Sequence, residues 1–184
     1  MLSLSNKGLR LLTGLLTGLL TLSLILGSLA VAGIMVYLAV LAVQGDFSLL
    51  LVFPEGLQFT QTVRSASLGS FLLYSVLLLA TLVLGLLFLY LLRSILHTLS
   101  RSKGFTQTLP IKITNMGYIL LALAYAKQLL LVLVFTQDLG ELSGLLGFRF
   151  QLLPNEAVYA LILLVLARVF SYAFALQREY EQTV

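Results

Sequence analysis

Long apolar runs dominate the pattern of hydrophobic and polar positions along the chain. Four runs cover residues 11–43, 68–92, 113–135 and 157–176; the first two carry no charge, and the other two contain only Lys127 and only Arg168. Each run reaches the roughly 20 apolar residues that a helix needs to cross a bilayer. The pattern therefore predicts an all-α integral membrane protein, a four-helix transmembrane bundle forming a single domain over residues 1–184.

The first run is longer than one crossing requires, so its helix should tilt or project beyond the membrane. Its start also resembles a secretory leader, because Lys7 and Arg10 precede the apolar residues and the stretch from Ala30 to Ala32 resembles a cleavage site. The apolar run continues past Ala32 without a polar break. We therefore expect a retained first span rather than a removed leader.

The connections 44–67 and 136–156 contain short apolar or alternating stretches. In the second of them, Phe148, Phe150 and Leu152 alternate with Arg149 and Gln151, as in a half-buried strand. Two interpretations are open: the two connections form a small β element outside the cytoplasm, or they rest on the lipid headgroups.

Composition agrees with a membrane protein. Hydrophobic residues make up 60% of the chain and charged residues only 10%, with a mean hydropathy of +1.07. Soluble domains are about a quarter charged. A water-facing surface around a core is therefore excluded, and the chain has no cysteine for disulfides or thiolate metal sites.

The placement of the charges predicts the orientation. Of the eleven Lys and Arg residues, seven lie before the first apolar run, in the connection 93–112, or after the last apolar run. The connections 44–67 and 136–156 together carry a net charge of −3. Basic connections stay in the cytoplasm. Both termini are therefore predicted to be cytoplasmic.

Residues that could support catalysis are scarce. His97 is the only histidine, cysteine is absent, and the sequence lacks the zinc-protease, nucleophile-elbow and phosphate-loop motifs. We predict no enzymatic activity, no cofactor, no metal site and no direct contact with nucleic acid.

Lys127 and Arg168 lie inside predicted spans. A charge at the middle of a membrane costs about 2.5–3.5 kcal/mol on the insertion scale, so such residues usually face a bundle interior or a wet cavity. Two interpretations are open: each side chain extends to the nearest interface, or the two line an internal cavity of a small transporter or channel.

A stripe of small residues runs along the first span, where Gly14 and Gly18 form a GxxxG pair beside Thr13, Thr17 and Thr21. Such a stripe allows another helix to approach closely. It is either a homodimer face or a packing surface within the protein's own bundle.

The stretch RSKGFTQTLPIK joins the second and third spans. Thr106 or Thr108 can cap the next helix, and Pro110 suits its first turn. Five residues of the connection 93–112 have two open interpretations. They either contact lipid headgroups or form a cytoplasmic docking surface in which Phe105 is the apolar anchor. The five are Arg93, Arg101, Lys103, Phe105 and Lys112.

Two stretches carry a family resemblance. LYLLRSILHTLSRSKGFTQTLPIKITNMGYILLALA and the closing LILLVLARVFSYAFALQREYEQTV are similar to the short bacterial four-span membrane proteins of domain-of-unknown-function family twenty-nine seventy-five. The resemblance covers roughly residues 68–184, and the first span matches only in hydropathy. The chain departs from the family pattern in lacking a glutamate near Arg168 and a glycine near Ala173, and in having Gly104 where the family has an acidic residue.

The resemblance implies a multi-pass protein of the bacterial cytoplasmic (inner) membrane without enzymatic activity. Members are often encoded beside a helix-turn-helix regulator of the Xre type, which implies a membrane partner or sensor of a cytosolic transcription regulator. The residues leave two alternatives, namely a small transporter or channel-like protein that uses Lys127 and Arg168, and a structural or lipid-interacting membrane protein.

Overall fold

A computed structural model describes residues 6–45, 48–49, 63–64, 68–101, 108–137 and 152–183. Four long helices account for most of them: α1 (Asn6–Gln44), α2 (Leu68–Arg101), α3 (Thr108–Gln137) and α4 (Asn155–Thr183). Helices suit these sequences because a lipid-embedded backbone must satisfy its hydrogen bonds within the segment.

Each of the four helices is long and apolar enough to cross a membrane, over Thr13–Gln44, Leu68–Thr98, Thr108–Leu130 and Asn155–Glu179. The predicted all-α fold with four spans is confirmed, and the chain is a multi-pass membrane protein. The helices extend further than the apolar runs. α1 also passes through Ala30 and Ala32 without interruption, and retention of the first span stays a prediction.

Local chemistry accounts for the helix ends. Gly45 follows α1 with a φ of 67°, the left-handed conformation that glycine adopts easily after a helix. α3 begins at Thr108 with Pro110 in its first turn, as the sequence predicts. At the start of α4, the backbone carbonyl of Pro154 accepts hydrogen bonds from the amides of Ala157 and Val158 at 2.9 and 3.2 Å.

A short β element lies in the connection between α1 and α2. Strand β1 (Ser48–Leu49) pairs antiparallel with β2 (Val63–Arg64), with Ser48 opposite Arg64 and Leu49 opposite Val63. The pairing is thus internal to the connection 44–67. The alternating residues 148–151 of the second connection lie outside the described residues.

One compact unit comprises Met1–Ser28, Leu84–Ala124 and Leu153–Val184. Its buried cluster joins Ile95 of α2 to Leu109 and Met116 of α3, with Leu163 of α4 packed against it. On α4, Ala157, Ala160 and Ala167 are almost completely buried. Small side chains on this face of α4 allow close packing of neighbouring backbones.

The second unit comprises Leu29–Val83 and Tyr125–Leu152. Its buried cluster contains residues of three helices, namely Leu38 and Leu41 of α1, Phe71, Tyr74 and Leu78 of α2, and Leu130 of α3. Tyr125 donates a hydrogen bond to the backbone carbonyl of Leu152 at 3.2 Å. This bond ties α3 to the residues that precede α4.

Two glycines of the first unit mark close approaches between helices. A Cβ at Gly117 would lie 2.9 Å from both Cγ and Cδ2 of Leu164 and 3.3 Å from the backbone oxygen of Ala160. A Cβ at Gly27 would lie 2.7 Å from Cδ2 of Leu86. At Gly117, α3 therefore meets both a branched side chain and the backbone of α4.

Candidate functional site

The last turns of α2 carry two exposed residues four positions apart, Arg93 and His97. Residues at this spacing lie on the same helix face. Arg101 continues the spacing and is the last residue of α2. We call this segment, residues 93–101, the basic end of α2. Lys103 and Phe105 of the predicted docking surface lie outside the described residues.

Lys112 of α3 connects to the basic end of α2. Its Nζ donates hydrogen bonds to Ser94 Oγ and to Thr98 Oγ1, both at 2.9 Å. The two hydroxyl groups lie one helical turn apart, so a single ammonium group reaches both, and Lys112 is half-buried. Lys112 thus holds two helices together, and its part in a docking surface stays a prediction.

The end of α4 adds a second exposed segment. Gln177, Arg178 and Glu179 are all exposed. The helix continues to Thr183, past the apolar run that ends at residue 176. Both the basic end of α2 and the last turns of α4 therefore present charged side chains on regular helical backbone.

The two charges inside the spans have different surroundings. Lys127 is half-buried in the second unit, which also holds the buried polar residues Ser75 and Gln128 at 6% and 8% exposure. Arg168 is exposed on α4 in the first unit. The guanidinium of Arg168 is therefore not enclosed by the described helices.

The glycine stripe of α1 is open. Gly14 and Gly18 are exposed, and a Cβ at either position would meet nothing within 4 Å. The hydroxyl of Thr17 is bonded to the carbonyls of Thr13 and Gly14, and that of Thr21 to the carbonyl of Thr17. Among the described residues, neither glycine contacts another helix, and both the homodimer face and the packing surface within the bundle stay predictions.

The described residues offer little for ligand chemistry. No group of three or more His, Cys, Asp or Glu residues suitable for a metal ion occurs among them. An open groove of about 150 Å³ lies along α4 and is lined by Phe170, Ala173, Phe174 and Gln177. Its lining carries no charged side chain.

Sequence reasoning singled out Lys112 but missed its partners. The sequence does contain a pattern that indicates this contact. Ser94 and Thr98 are four residues apart near the end of the second span, and Lys112 lies early in the next helix. It also missed Gly117 as a packing residue, although the stretch NMGYI was noted for its family resemblance.

In the part of the chain that the structure describes, fold and site together define a multi-pass membrane protein with four long helices, a basic helix end and an exposed arginine, Arg168, within the span of α4. No protein-family model, no curated protein and no solved structure matches the chain. Membership in the four-span family therefore stays a prediction.

Proposed function

We propose that the chain is a bacterial cytoplasmic-membrane protein without catalysis of its own, which acts as the membrane partner or sensor of a cytosolic helix-turn-helix regulator of the Xre type. One observation carries the proposal: α2 and α4 continue as helices beyond their apolar runs. In the predicted orientation, both extensions enter the cytoplasm.

The extensions are long enough to present a binding surface. From Leu92 to Arg101, α2 adds nine residues, or about 14 Å of helix, and from Leu176 to Thr183, α4 adds seven residues, or about 10 Å. Arg93, His97 and Arg178 are exposed on these extensions. A regulator with an acidic surface would find complementary charge there.

The contact of Lys112 with Ser94 and Thr98 supports this interpretation. Both hydroxyl groups belong to the basic end of α2, and the ammonium group that they bind belongs to α3. A docking surface held in place before binding loses less conformational entropy when a partner arrives. The bound lysine therefore favours a fixed recognition surface at this end.

The test compares charge reversal at the extensions with deletion of the protein in its native host. We expect the double variant Arg93→Glu with Arg178→Glu to reproduce the transcriptional changes of the deletion while accumulating normally in the membrane. Arg64→Glu, which changes an arginine of β2, is the matched control and should leave transcription unchanged. Purification of the tagged protein should recover a DNA-binding protein that the double variant loses.

Two outcomes would contradict the proposal. The first is an unchanged transcriptome after deletion, and the second is wild-type regulation in the double variant. If a cytoplasmic partner remains bound to the double variant, its contact surface lies outside the two helix extensions.

A second candidate function is a small transporter or channel-like protein. It is favoured by the half-buried Lys127 together with buried Ser75 and Gln128 in the same unit. Polar side chains within spans commonly mark solute or proton pathways. Purified protein in liposomes should then carry a proton or ion flux that Lys127→Leu abolishes; an equal flux in empty liposomes would remove this candidate.

A further inference from the structure

Arg168 lies near the middle of a membrane-crossing helix. The span of α4 runs over Asn155–Glu179. Within it, the apolar run covers residues 157–176, and Arg168 is eleven residues, or about 16 Å, from the first of these and eight residues, or about 12 Å, from the last. Its side chain is exposed. In a bilayer, this surface of α4 faces acyl chains unless another helix covers it.

The exposed surface around Arg168 is apolar. Leu161 precedes Arg168 by seven residues, Val165 precedes it by three, and Tyr172 follows it by four. At these spacings the three residues lie on the same side of the helix as Arg168. All three are exposed. Arg168 is therefore the one charge in the centre of a lipid-facing helix surface.

The direction of the side chain disfavours an escape to the nearer interface. Cα–Cβ bonds in a helix tilt toward its N-terminus. On α4 this direction leads toward Asn155, the more distant end of the span. A guanidinium that turned toward the other end would have to fold back over the following turns of its own helix.

The chain itself has no carboxylate at the depth of Arg168. Its seven Asp and Glu residues lie at positions 46, 55, 138, 141, 156, 179 and 181, at or beyond the ends of the four predicted runs. The nearest along α4, Glu156 and Glu179, are close to the two ends of its span. A second copy of the chain therefore cannot neutralise this arginine in the middle of the membrane.

We propose that the surface of α4 formed by Leu161, Val165, Arg168 and Tyr172 binds a transmembrane helix of a different protein that carries an aspartate or glutamate near the middle of the bilayer. Charge complementarity selects the partner, because an ion pair formed within the membrane removes an otherwise exposed charge from lipid. The proposal does not depend on the cytosolic partner proposed above.

The test uses a defined probe helix. A polyleucine peptide of about 20 residues with one central glutamate and lysine ends, labelled as an energy-transfer acceptor, is reconstituted with donor-labelled protein in phosphatidylcholine vesicles. We expect association with this peptide at about tenfold lower peptide-to-lipid ratio than with the all-leucine peptide. A central glutamine should give an intermediate result, since it hydrogen-bonds without a charge.

Variants locate the binding surface. Arg168→Leu should remove the preference for the glutamate peptide, whereas Val165→Leu, on the same surface, should keep it. Arg168→Glu should transfer the preference to a peptide with a central lysine. Since the comparison between peptides uses the unmodified protein, misfolding of a variant does not affect the first result.

Equal association of the glutamate and leucine peptides with the unmodified protein would overturn the proposal and show that the arginine is accommodated by lipid or water. Self-association of the protein that depends on Arg168, measured with donor-labelled and acceptor-labelled copies, would also overturn it by assigning the surface to a second copy.

Discussion

At the residue scale, Gly117 is a glycine whose Cβ would meet the backbone of another helix. A methyl group at position 117 would lie too close to both Cγ and Cδ2 of Leu164. It would also be in tight contact with the backbone oxygen of Ala160. A side-chain tip can rotate away, but a backbone oxygen cannot move without shifting α4. In a membrane, helices associate through such close packing rather than through a hydrophobic driving force.

We therefore expect Gly117→Ala to destabilise the protein by about 1–3 kcal/mol, the usual cost of overpacking. Gly27→Ala should cost less, because it meets only Cδ2 of Leu86. Gly85→Ala is the matched control: nothing lies within 4 Å of its Cβ position, and alanine favours a helix. Thermal unfolding in detergent, followed by circular dichroism, measures all three.

One result would contradict the expected order of stability among the three alanine variants. If Gly117→Ala unfolds at or above the temperature of Gly85→Ala, the contact with α4 does not constrain position 117.

At the element scale, α1 differs from the other helices. It has 39 residues, or about 58 Å of helix, compared with a bilayer core of about 30 Å. Its first half carries the open stripe with Gly14 and Gly18. These two glycines leave room for a second copy, because no described residue lies within 4 Å of a Cβ built at either position.

If α1 is a homodimer face, Gly14→Ile with Gly18→Ile should weaken self-association in liposomes by about tenfold or more, since bulky side chains keep two backbones apart. Energy transfer between labelled copies measures the association. Gly33→Ile is the matched control, because Gly33 is also exposed on α1 with nothing near its Cβ position. A monomeric wild-type protein, or equal loss in the control, would show that the stripe has no such function.

At the scale of the whole molecule, the predicted orientation places the basic end of α2 and the end of α4 in the cytoplasm. The chain contains no cysteine, so a single introduced cysteine is the only labelling site. An impermeant maleimide should label His97→Cys and Gln177→Cys in inverted membrane vesicles only, and Ser48→Cys in right-side-out vesicles only. Leu78→Cys, at a position only 2% exposed, should stay unlabelled in both. The reverse pattern would invert the topology.

Sequence reasoning predicted the number of helices and their approximate positions, because a helix that crosses a bilayer requires a long apolar run. It did not predict which faces pack. Buried Ala160 and exposed Val165 are both apolar, so the contrast between polar and apolar residues that reveals the core of a soluble protein is missing. The contacts of Gly117 and Lys112 depend on the mutual approach of two helices, which no single run encodes.

The hydrogen bonds of Lys112 have a consequence for how the protein is made. They join residues only 14 and 18 positions apart in the chain. At a synthesis rate of about 5–20 residues per second, such partners leave the ribosome within roughly four seconds of each other. The contact of Gly117 with α4 must wait until Ala160 and Leu164 have been synthesised. The α2–α3 hairpin can thus close early and offer α4 a formed surface on which to assemble.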